Sequence, residues 1–286
     1  MTHESLFPLL ACCPYIDELA PVSGGLLERH KTVSSFKPDR VVDLSGSLKS
    51  RIVTFANAPD TVHYKKEAKA APPMMHAVEN FLQTLSDWGV PTPQPAFPTL
   101  PADHLPPPPL PVAEGTIALV PGVGNLRPHR AWSKAKWIAL GQKIISELER
   151  PVILIGGEAE KDLCDEIASQ LGSGCSNASG RLSLPESAAA ISACDTLISG
   201  DTGPAHLAVA VGTTVIGLYG PTFAERSGPY GPTNRVISVS HECECKQLKQ
   251  CRFKLEDGRC MDQITYEAVY ELLLTASGET VAKSMQ

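Results

Sequence analysis

No stretch of the chain is apolar for long enough to span a bilayer. The longest apolar region, 207–219, is interrupted by Gly and Thr and falls short of the roughly 18 residues a spanning helix needs. The opening Met1-Thr-His-Glu-Ser shows neither a basic n-region nor an apolar core, so a cytoplasmic chain is expected. A basic excess is lacking too. The formal charge is -6, from 25 Lys and Arg against 31 Asp and Glu, which argues against general nucleic-acid binding. Cysteine pairing is not built in. The count of nine is odd, and in a reducing compartment these are expected as free thiols unless they hold metal. No internal repeat of fixed period is present.

What is present divides the chain in two. Residues 91–111 read PTPQPAFPTLPADHLPPPPLP, a run that excludes helix and central strand and favours extended geometry. It is read as an interdomain linker plus the edge of the second domain, with a surface loop inside one domain as the plainer alternative. The expected organisation is an N-terminal domain over 1–100, a linker over 101–112 and a C-terminal domain over 113–286. After the linker, continuously apolar runs alternate with helical periods. Strands are expected at 116–120, 151–155, 175–178, 196–199, 213–219 and 236–239. Helices are expected at 133–149, 158–171, 184–194, 204–211 and 265–275. That alternation implies a parallel sheet covered on both faces. Before the linker the signal is thinner: a short strand within 15–22, helices near 26–31 and 74–87, a strand at 40–44, and a turn leading into partial helix over 45–58.

The strongest chemical motif is Ser199-Gly-Asp-Thr-Gly-Pro-Ala-His206. A strand ends, a Gly turn follows, and a helix opens at Pro204, where a missing N–H costs nothing. Uncapped N–H groups and the helix dipole make such a turn an anion site. Asp201 has no business with phosphate, but it suits sugar hydroxyls. Spacing alone equally allows a plain capped helix, with Asp201 or Thr202 as the N-cap. Likewise His206 alone reads as a buried core histidine, and Glu160 alone as a first-turn helix acid. Trp132 and Trp137 read as packing residues. Cys12, Cys13, Cys164, Cys175 and Cys194 read as buried small hydrophobes.

Taken together, the motifs resemble glycosyltransferase family 9, the lipopolysaccharide heptosyltransferases. The string DTGPAHLAVAVGTTVIGLYGPT over 201–222 is similar to that family's signature. Pro121, Gly122, Asn125, Arg130 and Trp132 resemble its donor-side loop, and Gly156-Gly-Glu-Ala-Glu160 its G-G-x-x-E stretch. Gly228-Pro-Tyr-Gly231 and the cysteine-rich segment ending at Cys260 also fit. The likeness covers 113–275 and extends more thinly over 5–90, through Pro14-Tyr-Ile-Asp-Glu18 and Val41-Val-Asp-Leu44.

The resemblance implies an α/β fold of the GT-B type: two Rossmann-like domains facing a cleft, here with an incomplete N-terminal one. It implies an inverting transferase that needs no metal or other cofactor and moves a heptose or related sugar from an ADP-sugar onto a lipopolysaccharide core or lipid A-type acceptor. By the same resemblance Asp201 contacts the sugar. Thr202, Gly203 and Pro204 line the diphosphate site with His206 beside it. Glu160 holds the ribose hydroxyls and Leu182 packs near the base. Gly122 and Asn125 approach the diphosphate. Arg130 stands where the family has Lys; it keeps the charge and adds a bidentate fork.

Family members open with a strand, a Gly-Asp loop and a helix, and the loop Asp resembles a general base. No Gly-Asp pair precedes Asp201 here. The expectation is that the start lies upstream or that the base is lost, so the catalytic residue stays unassigned; Asp17, Asp39 and Asp43 sit in other contexts. A second reading is therefore a catalytically inactive nucleotide-sugar-binding protein, and a third an epimerase-like enzyme of the same fold. Lys49, Arg51, Lys65 and Lys66 are candidates to face an acidic acceptor, with solvated lysine as the plain alternative. Peripheral contact with the inner membrane face goes with such an acceptor. Cys243, Cys245, Cys251 and Cys260 form the candidate zinc set; their spacing departs from paired C-x-x-C knuckles, and a metal-free protein is expected.

Overall fold

A computed structural model of the chain describes residues 1–58, 60–65, 74–91, 98–124, 128–240, 260–276 and 278. It forms two compact units, Met1–Ala96 and Phe97–Gln286.

In the first unit, helices α1 (Phe7–Leu10) and α2 (Leu26–Phe36) precede strand β1 (Arg40–Asp43). Helix α3 (Leu48–Phe55), strand β2 (Asp60–His63) and helix α4 (Ala77–Gln83) follow, and α4 runs on as a 3-10 turn over Thr84–Trp88. The two strands pair in parallel, with Arg40 opposite Asp60 and Asp43 opposite His63. The capping box of Ser47 and Ser50 starts α3. The expected strand within 15–22 is not formed; only an isolated bridge joins Thr2 to Pro21. The helix expected from 74 starts at Ala77 because the His76 side chain accepts from the Val78 N–H at 3.2 Å and so occupies the cap.

The second unit carries a six-stranded sheet. Its strands are β3 (Ile117–Val120), β4 (Val152–Leu154), β5 (Cys175–Asn177), β6 (Thr196–Gly200), β7 (Thr214–Tyr219) and β8 (Arg235–Ser238). Its helices are α5 (Lys134–Glu147), α6 (Lys161–Leu171), α7 (Leu184–Ser192), α8 (Gly203–Val211), α9 (Ala224–Ser227) and α10 (Tyr266–Ala276). The order β5-β4-β3-β6-β7-β8 is parallel at every pairing. This is the doubly wound order, and it reverses direction between β3 and β6, so their carboxyl ends open a crevice.

Sequence dictates this packing directly. Every residue of β3 is buried, as a strand covered on both faces requires. On α5, Trp137, Leu140, Gly141 and Ile144 fall on one face and are all buried. They pack with Val152, Leu154, Ile198, Ile216, Leu218 and the α10 residues Val269 and Leu273 in one core. Each such aliphatic side chain contributes roughly 1.5–3 kcal/mol on burial. Trp132 and Trp137 meet edge to face at 4.8 Å within that core.

The segment expected as a linker over 101–112 belongs to the second unit. The backbone N–H groups of Thr99 and Leu100 both donate to the Ala210 carbonyl, and Leu100 is buried. Proline-rich chain lies along a folded surface here because its extended backbone still offers donors at the positions that are not proline.

Candidate functional site

The crevice between β3 and β6 gathers residues far apart in sequence. Gly200 ends β6, and a Cβ placed on it would touch Val123 of the loop after β3 and the Arg130 carbonyl. Gly122 lies under the Glu160 side chain so closely that a Cβ would sit 1.9 Å from Glu160 Cγ, so a larger residue there would displace that side chain. Glu160 is held from the other side as well: its Oε2 accepts from the Gly157 N–H at 2.9 Å. It is therefore a first-turn helix acid closing a capping box with Gly157.

Asp201 and Arg130 meet at the mouth of this crevice. Arg130 Nη1 donates to Asp201 Oδ2 at 2.6 Å, and the two side chains are only 12% and 13% exposed. Arg130 arrives on the 3-10 turn Pro128–Arg130, and the neighbouring Trp132 anchors the segment by donating from Nε1 to the Ile264 carbonyl at 2.8 Å. Tyr219, the last residue of β7, is buried nearby. Burial and then the Asp201 charge push its phenol well up, against the pull of Arg130. The hydroxyl stays protonated and donates to the Ser227 carbonyl at 2.9 Å.

Helix α8 opens at this point without a side-chain cap. Thr202 occupies the N-cap position, but its hydroxyl is paired with Ser199 Oγ at 2.7 Å rather than with the helix. Asp201 is turned to Arg130. The plain capped-helix alternative is therefore not what forms. Gly203 is exposed with open space above it, and Pro204 sits in the first turn of a helix that no side chain caps. His206 is exposed one turn in, not a buried core histidine.

Leu182 is half-buried and lines a cavity of about 440 Å³ with Arg181, Asn177 and the Pro109–Pro111 stretch. Asn125 and the cysteines Cys243, Cys245 and Cys251 lie outside the described residues. Cys260 is half-buried against Gly220. Among the described residues no cluster of three or more His, Cys, Asp or Glu could hold a metal ion, and no helix is long and apolar enough to cross a membrane. Lys49 and Arg51 are exposed on α3 in the first unit. Cys164 and Cys194 are buried, whereas Cys12, Cys13 and Cys175 are only partly so. Burial pushes the Cys164 and Cys175 thiols to about 11 and Cys194 to about 12.

A parallel doubly wound unit following a second α/β unit fits the GT-B architecture. Solved structures agree on the fold. The family 9 glycosyl transferase of Veillonella parvula covers 97% of this chain and 87% of its own at a TM-score of 0.76 and 21% identity. The E. coli heptosyltransferase WaaC, solved with ADP, covers 96% and 88% at a TM-score of 0.72 and 19% identity. The family model described as glycosyltransferase family 9 (heptosyltransferase) matches residues 29–256, and the chain belongs to that family. Among curated relatives, lipopolysaccharide heptosyltransferase 2 of Salmonella typhimurium is 27% identical over 272 residues, spanning 81% of this chain and 76% of that protein.

Proposed function

We propose that the chain transfers a heptose, with inversion, from an ADP-sugar to a lipopolysaccharide core-type acceptor. The observation that carries this reading is the Arg130–Asp201 pair beside the uncapped start of α8. Arg130 holds a charge-assisted bond that a diphosphate can replace with a bidentate one. As the diphosphate takes the guanidinium, Asp201 is released to accept hydroxyls of the transferred sugar. The α8 N–H groups and Arg130 then stabilise the negative charge that builds on the leaving diphosphate. The Glu160 oxygen not bound to Gly157 accepts the ribose hydroxyls, the chain at Gly122 approaches the diphosphate, and Leu182 packs near the base. His206 lies beside the diphosphate. Since helix N–H groups and Arg130 supply the positive charge, the reaction runs without a divalent metal.

The names of the relatives support lipopolysaccharide as the acceptor: the Salmonella protein is a lipopolysaccharide heptosyltransferase, and WaaC was solved with ADP. Such an acceptor is membrane-anchored, which fits a cytoplasmic protein working at the inner membrane face, with Lys49 and Arg51 turned to acidic groups. The test is direct. The chain is incubated with ADP-heptose and heptose-deficient core acceptor, and product mass and released ADP are followed. The expected result is one added heptose per acceptor, lost in Arg130→Ala. A chain that binds ADP-heptose yet adds no sugar would instead establish the inactive-binder reading.

A further inference from the structure

Helix α3 has two sides that carry apolar groups, and only one of them meets the protein. At about 100° of turn per residue, Val53 and Thr54 fall on one side and Leu48, Ile52 and Phe55 on the other. The inward side is tied down. Val53 and Thr54 are 6% and 7% exposed, and Ser50 on the same side donates from Oγ to Asp43 Oδ2 at 2.7 Å. Asp43 ends β1 and is buried; the Ser45 N–H donates to its Oδ1 at 3.0 Å, and His63 Nδ1 lies 3.0 Å from its Oδ2. Burial works to raise that carboxyl, but the bonds from Ser50, His63 and Ser45 outweigh it and hold it below its ordinary value. These contacts set the rotation of α3 about its own axis, and so what its far side presents.

The far side presents large apolar groups to water. Leu48 is 75% exposed, Ile52 51% and Phe55 88%. Spaced at i, i+4 and i+7, they line up as one stripe along the helix. Scattered exposed hydrophobics are ordinary, whereas a line of three marks an interaction surface. Cations border the stripe: the same helical turn puts Lys49 on one edge and Arg51 on the other, both exposed. Among the described residues neither carries an ion pair, and α3 contains no Asp or Glu.

Whatever covers this face must take up apolar side chains and neutralise the cations at their border. A second copy does not meet the second need, because a two-fold contact through the stripe sets Lys49 and Arg51 against the same residues of that copy. A bilayer with anionic headgroups meets both. Its acyl boundary receives the stripe while its phosphates meet the ammonium and guanidinium, as at an interfacial helix. We infer that the exposed side of α3 docks on an anionic phospholipid bilayer, with Leu48, Ile52 and Phe55 entering the acyl boundary and Lys49 and Arg51 at phosphate level. The inference rests on the proposed membrane-anchored acceptor and deepens that reading, since it names the helix that brings the chain to the acceptor's surface. Two turns of helix give weak, reversible docking.

The test sediments the full chain with vesicles of phosphatidylglycerol and phosphatidylethanolamine, and with phosphatidylcholine alone, without lipopolysaccharide or nucleotide. Binding is expected to the anionic vesicles only. Leu48→Ser, Ile52→Ser and Phe55→Ser combined should lower the partition coefficient at least about 10-fold. Lys49→Ala and Arg51→Ala should each lower it about 5-fold, and raised salt should mimic them. Phe55→Trp keeps the face apolar and reports on it directly: its emission should move to the blue on anionic vesicles, beyond any change in the wild-type spectrum. Absent binding by the wild type, equal binding to both vesicle types, equal binding by the triple variant, or an unmoved Phe55→Trp spectrum overturns the inference. Self-association that Phe55→Ser abolishes would give the face to a second copy and overturn it as well. None of these readouts needs sugar transfer. A chain that transfers heptose to lipid-free core yet ignores vesicles would sink the docking and keep the transferase. One that docks through α3 and transfers nothing would support the docking and sink the transferase.

Discussion

The two units bury their apolar side chains to very different degrees. In Phe97–Gln286 the strands and helix faces close into a single core. Ile117, Leu119, Leu140, Ile144, Leu154 and Ile198 reach zero exposure there. In Met1–Ala96 the buried hydrophobics among the described residues are Ala20, Val53, Ala58 and Val62, none of them below 4% exposure. Among the described residues, all but two of the exposed large hydrophobics, Leu184 and Val236, belong to that first unit. Phe55 is 88% and Leu27 79% exposed. A two-stranded sheet offers little surface to pack against, so polar bonds carry more of the local order. The capping box of α3, the Asp43 cluster and the Trp88 Nε1 bond to Asp60 at 2.5 Å are the examples. The second unit is specified by packing, the first largely by hydrogen bonds.

Substitutions should separate the units in that sense. The largest effect is expected at Trp137, which is 1% exposed: Trp137→Ala should cost about 3–5 kcal/mol in denaturant unfolding. If it costs under 1 kcal/mol, the second unit is not packed as described. Next comes Asp201→Ala, which takes the carboxylate from a nearly buried guanidinium. It should cost roughly 1.5–3 kcal/mol, and saturating ADP should recover part of the lost melting temperature. Acid should act on the first unit through Asp43. Its folded-state carboxyl is lowered, so the stability it contributes is present above its unfolded value and lost as pH falls through the folded one. Asp43→Asn should remove that acid-dependent component, read by hydrogen exchange across β1 and α3. The smallest effect is expected at Phe55: Phe55→Ser should change stability by no more than about 0.5 kcal/mol. A loss of several kcal/mol there would mean that the face is covered.

The same contrast explains what the sequence reveals. Continuous apolar runs mark β3, β4, β6 and β7 because a parallel strand covered on both faces has no polar side to show. The period of α5 and the glycine turn before α8 are just as local, so the strand, turn and helix of the candidate donor site are legible directly. β2 was not read. Asp60-Thr-Val-His63 is four residues with no continuous apolar run, and among the described residues its strand partner is β1 alone. Side-chain pairings were equally hidden. Arg130 and Asp201 are 71 residues apart and Asp43 and His63 are 20 apart, and no propensity couples them. Asp201 and Arg130 were each marked by their motifs, but not that they hold one another. His63 carried no motif at all; a buried strand-end Asp facing a His across parallel strands could have marked it once β2 was known.

The donor site can be measured by calorimetry with ADP, in EDTA, on the wild type and Arg130→Ala. On the proposed reading, in which α8 and Arg130 neutralise the diphosphate, binding should persist in EDTA. It should weaken roughly 10- to 100-fold in Arg130→Ala, the equivalent of one charged hydrogen-bond partner. Binding that EDTA abolishes, or that Arg130→Ala leaves untouched, would contradict the site described.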